Sequence, residues 1–221
     1  MNVFVTGGTG YIGSRLIPEL SRRGHQIRAL VRAGSETRLP PGAEGYIGDA
    51  LNAESFADTV RSSDTFVHLI GVPHPSPAKA AQFREIDLVS IRTAVSAAAN
   101  AGIRHFVYLS VAQPAPVMKV FQEIRRQGEE LIRNSKINAT FVRPWYVLGP
   151  GHRWPIPLVP FFWLAERIPQ FRESSHRLGF VTITQMINAL VWTIENPPDG
   201  IRLLGVSEIR AGGGMNLPSS P

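Results

Sequence analysis

Cysteine is absent from all 221 residues of the chain. Its absence excludes disulfides and thiolate metal sites, and we expect no bound metal. A chain without disulfides is typical of a reducing compartment, and the first residues, MNVFVTGGTG, do not have the pattern of a secretory signal. We therefore expect a cytoplasmic protein.

Long apolar runs and dense basic stripes are also missing. The longest apolar stretch, residues 154–165, contains three prolines and is shorter than the roughly 20 residues of a spanning helix, so it predicts at most a peripheral membrane contact. The net charge of +6 comes from scattered arginines with only three lysines. Nucleic-acid binders concentrate such charge in a stripe, so we expect no nucleic-acid partner but a surface that favours an anionic small molecule.

Short β-rich runs alternate with longer helical patterns, which predicts βαβ units around a parallel sheet. The fold class expected is α/β, a Rossmann-like doubly wound sheet with a small C-terminal cap on the substrate side. We expect strands at Asn2–Thr6, Gln26–Val31, Glu44–Ile47, Thr65–Leu69, Arg104–Leu109 and Ala139–Arg143 and helices at 11–23, 53–61, 80–101, 118–135 and 184–195.

The composition predicts one domain over residues 1–210 and a flexible Gly/Ser/Pro-rich tail at 211–221. Residues 150–180, rich in proline and aromatic side chains, form the predicted cap. The cap aromatics favour either a pocket for a planar or lipid-like substrate or a packing surface, in a monomer or a homodimer; they are Trp154, Phe161, Phe162 and Trp163.

A glycine-rich segment follows the first predicted strand directly and opens the first helix. Glycines at this place permit a tight turn and close approach of the backbone to a pyrophosphate, while the helix N-terminus offers N–H groups to the phosphates. The segment predicts a dinucleotide site; its candidate cofactor-binding residues are Gly7, Thr9, Gly10, Tyr11, Ile12 and Gly13.

The end of the second strand carries Arg32, and no acidic residue occurs from Gln26 to Ser35. NAD sites usually place an acid here for the ribose hydroxyls, whereas a guanidinium suits a 2′-phosphate. The expected cofactor is therefore NADP(H) rather than NAD(H), with Arg38 or Arg15 as further phosphate ligands.

Together with TGGTGYIG, the later segments GD, HLIG, VYLS and RP followed by GP resemble an atypical short-chain dehydrogenase/reductase of the NmrA-like NAD(P)-binding group. That group is related to isoflavone-reductase-like, flavin/biliverdin-reductase-like and complex I accessory-subunit-like proteins. The resemblance implies that Asp49 contacts the adenine and that Ser110 approaches the nicotinamide; the other cofactor-binding residues it implies are Ala50, Leu69, Ile70, Gly71, Arg125 and Pro144.

Ordinary members of that superfamily use Tyr-x-x-x-Lys for proton transfer, and none of the four tyrosines here precedes a lysine by four residues. The resemblance aligns Phe121 with the tyrosine and Arg125 with the lysine. Phenylalanine has no proton to donate, and arginine is no acid at working pH. Ser110 and Tyr146 are the candidate catalytic residues; other possible donors are Lys119, His74 and His152.

Three accounts of function remain open. The preferred one is an NADPH-dependent oxidoreductase that reduces a planar apolar acceptor such as a quinone, a flavin or a conjugated carbonyl, with solvent supplying the proton. A second substitutes another proton donor. The third is a non-catalytic NADP(H)-sensing regulator or assembly scaffold.

Overall fold

The computed structural model describes residues 1–151 and 178–213. Within these ranges the strands β1 to β9 are Asn2–Thr6, Gln26–Val31, Glu44–Ile47, Thr65–His68, His105–Leu109, Asn138–Val142, Tyr146–Leu148, Phe180–Thr182 and Ile201–Leu204. The helices α1 to α7 are Gly13–Arg22, Ala57–Val60, Ala80–Gln82, Val89–Asn100, Lys119–Ser135, Ile183–Glu195 and Val206–Arg210.

Seven strands form one parallel sheet in the order β3-β2-β1-β4-β5-β6-β9. The chain order reverses between β1 and β4, and such a switch point opens a crevice at the carboxyl ends of the strands. The expected α/β Rossmann-like sheet is therefore confirmed. Strands β7 and β8 pair separately, also in parallel.

Helices cover both faces of the sheet, and the side chains of β1 alternate between the two cores that lie on these faces. Val3 and Val5 point into a core shared with α1 and α6, whereas Phe4 points into the opposite core with α4. On that second face Phe4 and Phe66 lie with ring centroids 5.1 Å apart, and Phe66 stacks on Phe106 at 5.0 Å. These apolar contacts hold the central strands in register and fix the edge where their loops begin.

All six predicted strands are present, each within one residue of the expected bounds. The predicted helix at 80–101 has a π-helical segment, Phe83–Leu88, between α3 and α4. The predicted helix at 53–61 divides into a 3-10 turn and the short α2. Strands β7 and β8, strand β9, which extends the sheet to seven strands, and helix α7 were not anticipated.

Most of the predicted cap, with all four of its aromatic residues and His152, lies outside the described residues, as do residues 214–221 of the predicted tail. The domain boundaries therefore stay a prediction. Over the two described ranges, none of the helices combines the length and apolar character that a membrane crossing requires.

Candidate functional site

The turn between β1 and α1 lies at the switch point and leaves no space for side chains on Gly7 and Gly13. Gly7 has φ +81°, and a Cβ there would lie 2.9 Å from the carbonyl carbon of Leu69. A Cβ on Gly13 would lie 2.3 Å from the Gly7 carbonyl oxygen. The backbone of the turn is thus bare at the carboxyl edge of the sheet, as a bound diphosphate requires, so the predicted turn residues fit a dinucleotide.

The turn is held by its own backbone. The Gly10 N–H donates to the Gly7 carbonyl at 3.0 Å, and the Ser14 N–H donates to the Gly10 carbonyl at 2.9 Å. Thr9, Tyr11 and Ile12 are half-buried around this turn, while Gly10 is exposed. These bonds keep the turn in one conformation before any ligand arrives.

Beyond the second strand, Arg32 is exposed, and its side chain makes no hydrogen bond or ion pair with another described residue. Arg15 differs, because its guanidinium donates to the Tyr11 carbonyl at 2.7 Å and lies 4.2 Å above the Tyr11 ring. Arg38 is exposed as well. Of these three arginines, Arg32 and Arg38 have guanidinium groups that make no hydrogen bond or ion pair with another described residue, and Arg32 is the one that directly follows β2.

Asp49 follows β3 at the same edge and is exposed. One carboxylate oxygen accepts from the Leu51 N–H at 2.9 Å, which fixes the side chain in a local turn, and its other oxygen remains available. Ala50 lies beside it, half-buried. The adenine contact implied for this pair stays a prediction.

A buried ion pair between Arg125 and Asp87 contacts the backbone of the loop after β4. Arg125, on α5, donates to a carboxylate oxygen of Asp87 at 3.0 Å and to the carbonyl oxygens of Ile70 at 3.3 Å and Leu109 at 3.0 Å. The other oxygen of Asp87 accepts from the Val72 N–H at 2.8 Å. The pair therefore joins the loops that follow β4 and β5.

This arrangement places Arg125 differently from a lysine that reaches out to a ribose. Its side chain is 5% exposed and that of Asp87 is fully buried. A Cβ on Gly71 would lie 2.3 Å from the guanidinium, so Arg125 passes directly beneath that glycine. Ribose binding by Arg125 and by the residues 69–71 stays a prediction, and the contacts described assign Arg125 a supporting position.

Ser110 follows β5 and is tied into a second buried network. Its hydroxyl donates to Oε1 of Glu129, on α5, at 2.6 Å. The same oxygen accepts from Arg143 Nε at 2.8 Å and from the Gln113 amide at 3.2 Å, while Arg143 also binds the other oxygen. The buried Pro144 comes next in the chain, and its carbonyl accepts from the Ala112 N–H at 3.0 Å. Ser110 is thus fixed in one orientation.

Burial disfavours the charged forms of the titratable groups between these networks. His68, at the end of β4, has its pKa lowered to about 3 by burial and by the charge of Arg125, and it bonds the Thr6 hydroxyl at 2.8 Å. Burial raises the pKa of Tyr108. Burial also raises the pKa of Asp87, although the charge of Arg125 opposes that shift. None of these three groups is exposed enough to exchange protons with a ligand directly.

The residue aligned with the catalytic tyrosine, Phe121, and the remaining candidate proton donors are spread over helix α5, the loop after β4 and strand β7. Phe121 is half-buried, with its ring 5.0 Å from that of Phe83 and 5.0 Å from the guanidinium carbon of Arg125. Lys119 is exposed at the start of α5. His74 lies exposed in the loop after β4 with φ +48°. Tyr146 lies in β7, edge-on to Phe180 at 6.1 Å, so a catalytic role for it stays a prediction.

A family model described as NAD(P)H-binding matches residues 7–151, well over half of the chain. The chain belongs to the NAD(P)H-binding family. NAD(P)H is therefore its cofactor class, and the bare glycine turn is the part of the molecule that fits it.

Two curated proteins that are similar to this chain are reductases by name. The ceramide reductase of Caulobacter vibrioides is 26% identical over 96% of this chain and 66% of its own length. The 3-diazoavenalumate denitrifying reductase of a Streptomyces species is 33% identical over 90% of this chain and 74% of its own length. Two other curated relatives are matched over 31% and 51% of their length, so this chain spans only part of several relatives.

Solved structures show the same fold. The enzyme WbmH of Bordetella bronchiseptica, determined with NAD⁺, superposes with a TM-score of 0.69 at 20% identity, over 100% of this chain and 83% of that one. The UDP-N-acetylglucosamine 4-epimerase of Bacillus cereus superposes with a TM-score of 0.69 at 16% identity, over 96% and 82%. At these identities the likeness extends to the fold alone.

Asp87 and Glu129 are not among the site residues that the sequence predicts. One signal was available for Glu129, because it lies four residues after Arg125 and three before the buried Ile132, on the inward face of α5. No comparable signal marks Asp87. Its burial follows from the π-helical segment, which turns it toward Arg125.

Proposed function

We propose that this protein is an NADP(H)-dependent reductase that transfers a hydride to a planar, apolar acceptor whose reduction needs no proton from a tyrosine–lysine pair. NADP(H), when bound, supplies the hydride from its nicotinamide ring. The residues proposed to hold it are the glycine turn, with Arg32 at the 2′-phosphate and Asp49 at the adenine. The acceptor class comprises quinones, flavins and conjugated carbonyls.

The observation that carries the NADP(H) part is the exposed, unengaged guanidinium of Arg32 beside a glycine turn that leaves its backbone bare. A charged donor bound to a phosphate contributes about 1.5 to 3 kcal/mol, or roughly 10- to 100-fold in affinity. The absence of an acidic residue at the end of β2 supports the same preference, because an acid there would repel the phosphate.

The acceptor class is supported by the lack of a free acid around Ser110 among residues 1–151 and 178–213. Phe121 has no hydroxyl, and Ser110 gives its only proton to Glu129. An acceptor that stabilises its own reduced anion, and takes its proton from water, suits such a site. The Streptomyces relative, whose name refers to a diazo compound, offers a precedent for reduction of a group other than a simple ketone.

A second candidate is a non-catalytic NADP(H) sensor. The observation that favours it is the buried Asp87–Arg125 ion pair, whose guanidinium donates to Asp87 and to the backbone carbonyls of Ile70 and Leu109. Such a pair supports cofactor binding without offering a reacting group. Tight NADPH binding without turnover would select this candidate.

The experiment combines calorimetry and turnover. Calorimetric titration of the wild type with NADPH and NADH is expected to show a preference for NADPH of at least about tenfold. Arg32→Ala is expected to abolish this preference. Arg92→Ala, at another exposed arginine, is the control and is expected to retain it. Steady NADPH oxidation with menadione, riboflavin or cinnamaldehyde is expected from the wild type. An unchanged preference in Arg32→Ala would refute the phosphate role, and no oxidation with any of the three acceptors would refute the reductase.

A further inference from the structure

The hydroxyl of Ser110 has one proton, and Glu129 receives it. The Ser110 hydroxyl donates to Oε1 of Glu129 at 2.6 Å, which is short for an O–H···O bond and typical of a charged acceptor. Arg143 donates to both oxygens of that carboxyl group, and Oε1 accepts from Ser110 as well, so both oxygens of Glu129 act as acceptors in this arrangement.

Ser110 cannot readily turn its proton elsewhere. The residue is 5% exposed and Glu129 is 3% exposed. The Ser110 N–H donates to the Val142 carbonyl at 2.8 Å, which ties its backbone to β6 as well. Gln113 completes the network by donating its side-chain amide to the same carboxylate oxygen at 3.2 Å. The Ser110 oxygen thus keeps its lone pairs for a ligand while its proton stays engaged.

Neither of the two ring side chains of Tyr108 and Phe121 offers a proton at this place. The Tyr108 hydroxyl is fully buried and lies 3.5 Å from Arg125. Phe121 carries no hydroxyl. A bare carbonyl oxygen next to Ser110 would meet lone pairs and be repelled, whereas an O–H or N–H group would be bound.

We infer that Glu129 makes Ser110 a hydrogen-bond acceptor, and that the ligand recognised at Ser110 is a planar ring bearing an O–H or N–H donor. This inference rests on the proposed function, since it narrows the acceptor class to ring systems with such a donor, for example a flavin or a hydroxylated quinone. Ser110 is the residue in contact with the ligand. Glu129 is a specificity-determining residue that acts through Ser110, and Arg143 positions Glu129.

The test uses two planar probes that differ in one donor: 2-naphthol has a hydroxyl, and 2-methoxynaphthalene does not. Both are titrated calorimetrically into the full-length protein saturated with NADP⁺. One hydrogen bond corresponds to about fivefold in affinity, so the wild type is expected to bind 2-naphthol about fivefold more tightly. Ser110→Ala is expected to bring the ratio to about one, because the acceptor has been removed.

A double variant tests the role of Glu129 itself. Glu129→Met with Arg143→Met replaces the ion pair by apolar side chains of similar size, an exchange that buried pairs often tolerate. Ser110 then has a free proton and accepts either probe, so the ratio is expected to fall to about one. Glu130→Met is the control, because Glu130 is the exposed neighbour on the same helix, and it is expected to retain the wild-type ratio.

Three results would overturn the inference: equal affinities in the wild type, a naphthol preference that survives Ser110→Ala, or a preference that survives the folded double variant. Turnover separates this inference from the proposed function. NADPH oxidation by the acceptor panel combined with a probe ratio of one would refute the inference alone. No oxidation combined with a preserved naphthol preference would refute the reductase and leave the polarity of Ser110 standing.

Discussion

Replacing Asp87 by alanine is expected to destabilise the fold by about 3 to 5 kcal/mol, because it leaves a buried guanidinium without its counter-charge. The Arg125 side chain is 5% exposed and Asp87 is fully buried, so water cannot take over the lost contact. The Val72 N–H loses its acceptor at the same time. For a domain of this size the melting temperature is expected to fall by about 6 to 20 °C.

The assay is equilibrium unfolding in urea, followed by circular dichroism, for four proteins. The wild type and Asp87→Ala give the main difference in free energy of unfolding. Asp58→Ala is the matched control, because Asp58 pairs with Arg61 at the surface, where the two side chains are 91% and 72% exposed, and its loss is expected to cost under about 0.5 kcal/mol. The double variant Asp87→Leu with Arg125→Met removes both charges and is expected to regain most of the stability.

Either of two results would contradict the predicted role of the buried pair. Asp87→Ala could prove no less stable than Asp58→Ala, which would mean that the guanidinium finds water or another partner. Alternatively, the double variant could prove as unstable as Asp87→Ala, which would mean that the lost packing and backbone contacts, rather than the stranded charge, set the cost.

Two further predictions concern pH and the glycine turn. In the folded chain the pKa values of His68 and His105 are lowered to about 3 and about 4. Below about pH 6.5 the unfolded chain therefore binds protons that the folded chain does not. The free energy of unfolding is expected to fall as pH drops, by about 2 kcal/mol per histidine at pH 5. His105→Gln should halve this slope in urea unfolding at a series of pH values, and an unchanged slope would contradict the assignment. Gly13→Ala places a Cβ 2.3 Å from the Gly7 carbonyl oxygen, whereas Gly10→Ala places one at 3.1 Å. Thermal melts should therefore show a large loss for Gly13→Ala only, and equal melting temperatures would show that the turn has room.

Much of the sheet was predictable because its signals are local. The run from Asn2 to Thr6 is β-branched and apolar, and the glycines after it need no distant partner to specify a turn. Strand β9 was missed for the opposite reason. Residues Ile201–Leu204 form a short run after a Pro-Pro-Asp-Gly turn, and its strand conformation depends on pairing with β6, about 60 residues earlier in the chain.

The residues of the candidate site were also predictable where their signals are local and not where they depend on tertiary contacts. Arg32 and the glycine turn were recognisable from their order along the chain, since each follows a strand end directly. The contacts of Arg125 were not recognisable, because a guanidinium at that position of a helix can equally reach a ligand or turn inward. The inward orientation is the one observed, because the π-helical segment places a carboxylate oxygen of Asp87 3.0 Å from the Arg125 guanidinium.

By itself, the sequence determined the alternation of strands and helices, the bare glycine turn and the absence of a tyrosine followed by lysine four residues later. Each of these depends on residues close together in the chain or on composition. Only the tertiary structure decided that Ser110 gives its proton to Glu129 and that Arg125 is neutralised by Asp87. Those pairings join separate elements, and the direction of a hydrogen bond follows from which donors and acceptors the packing of α5 brings together.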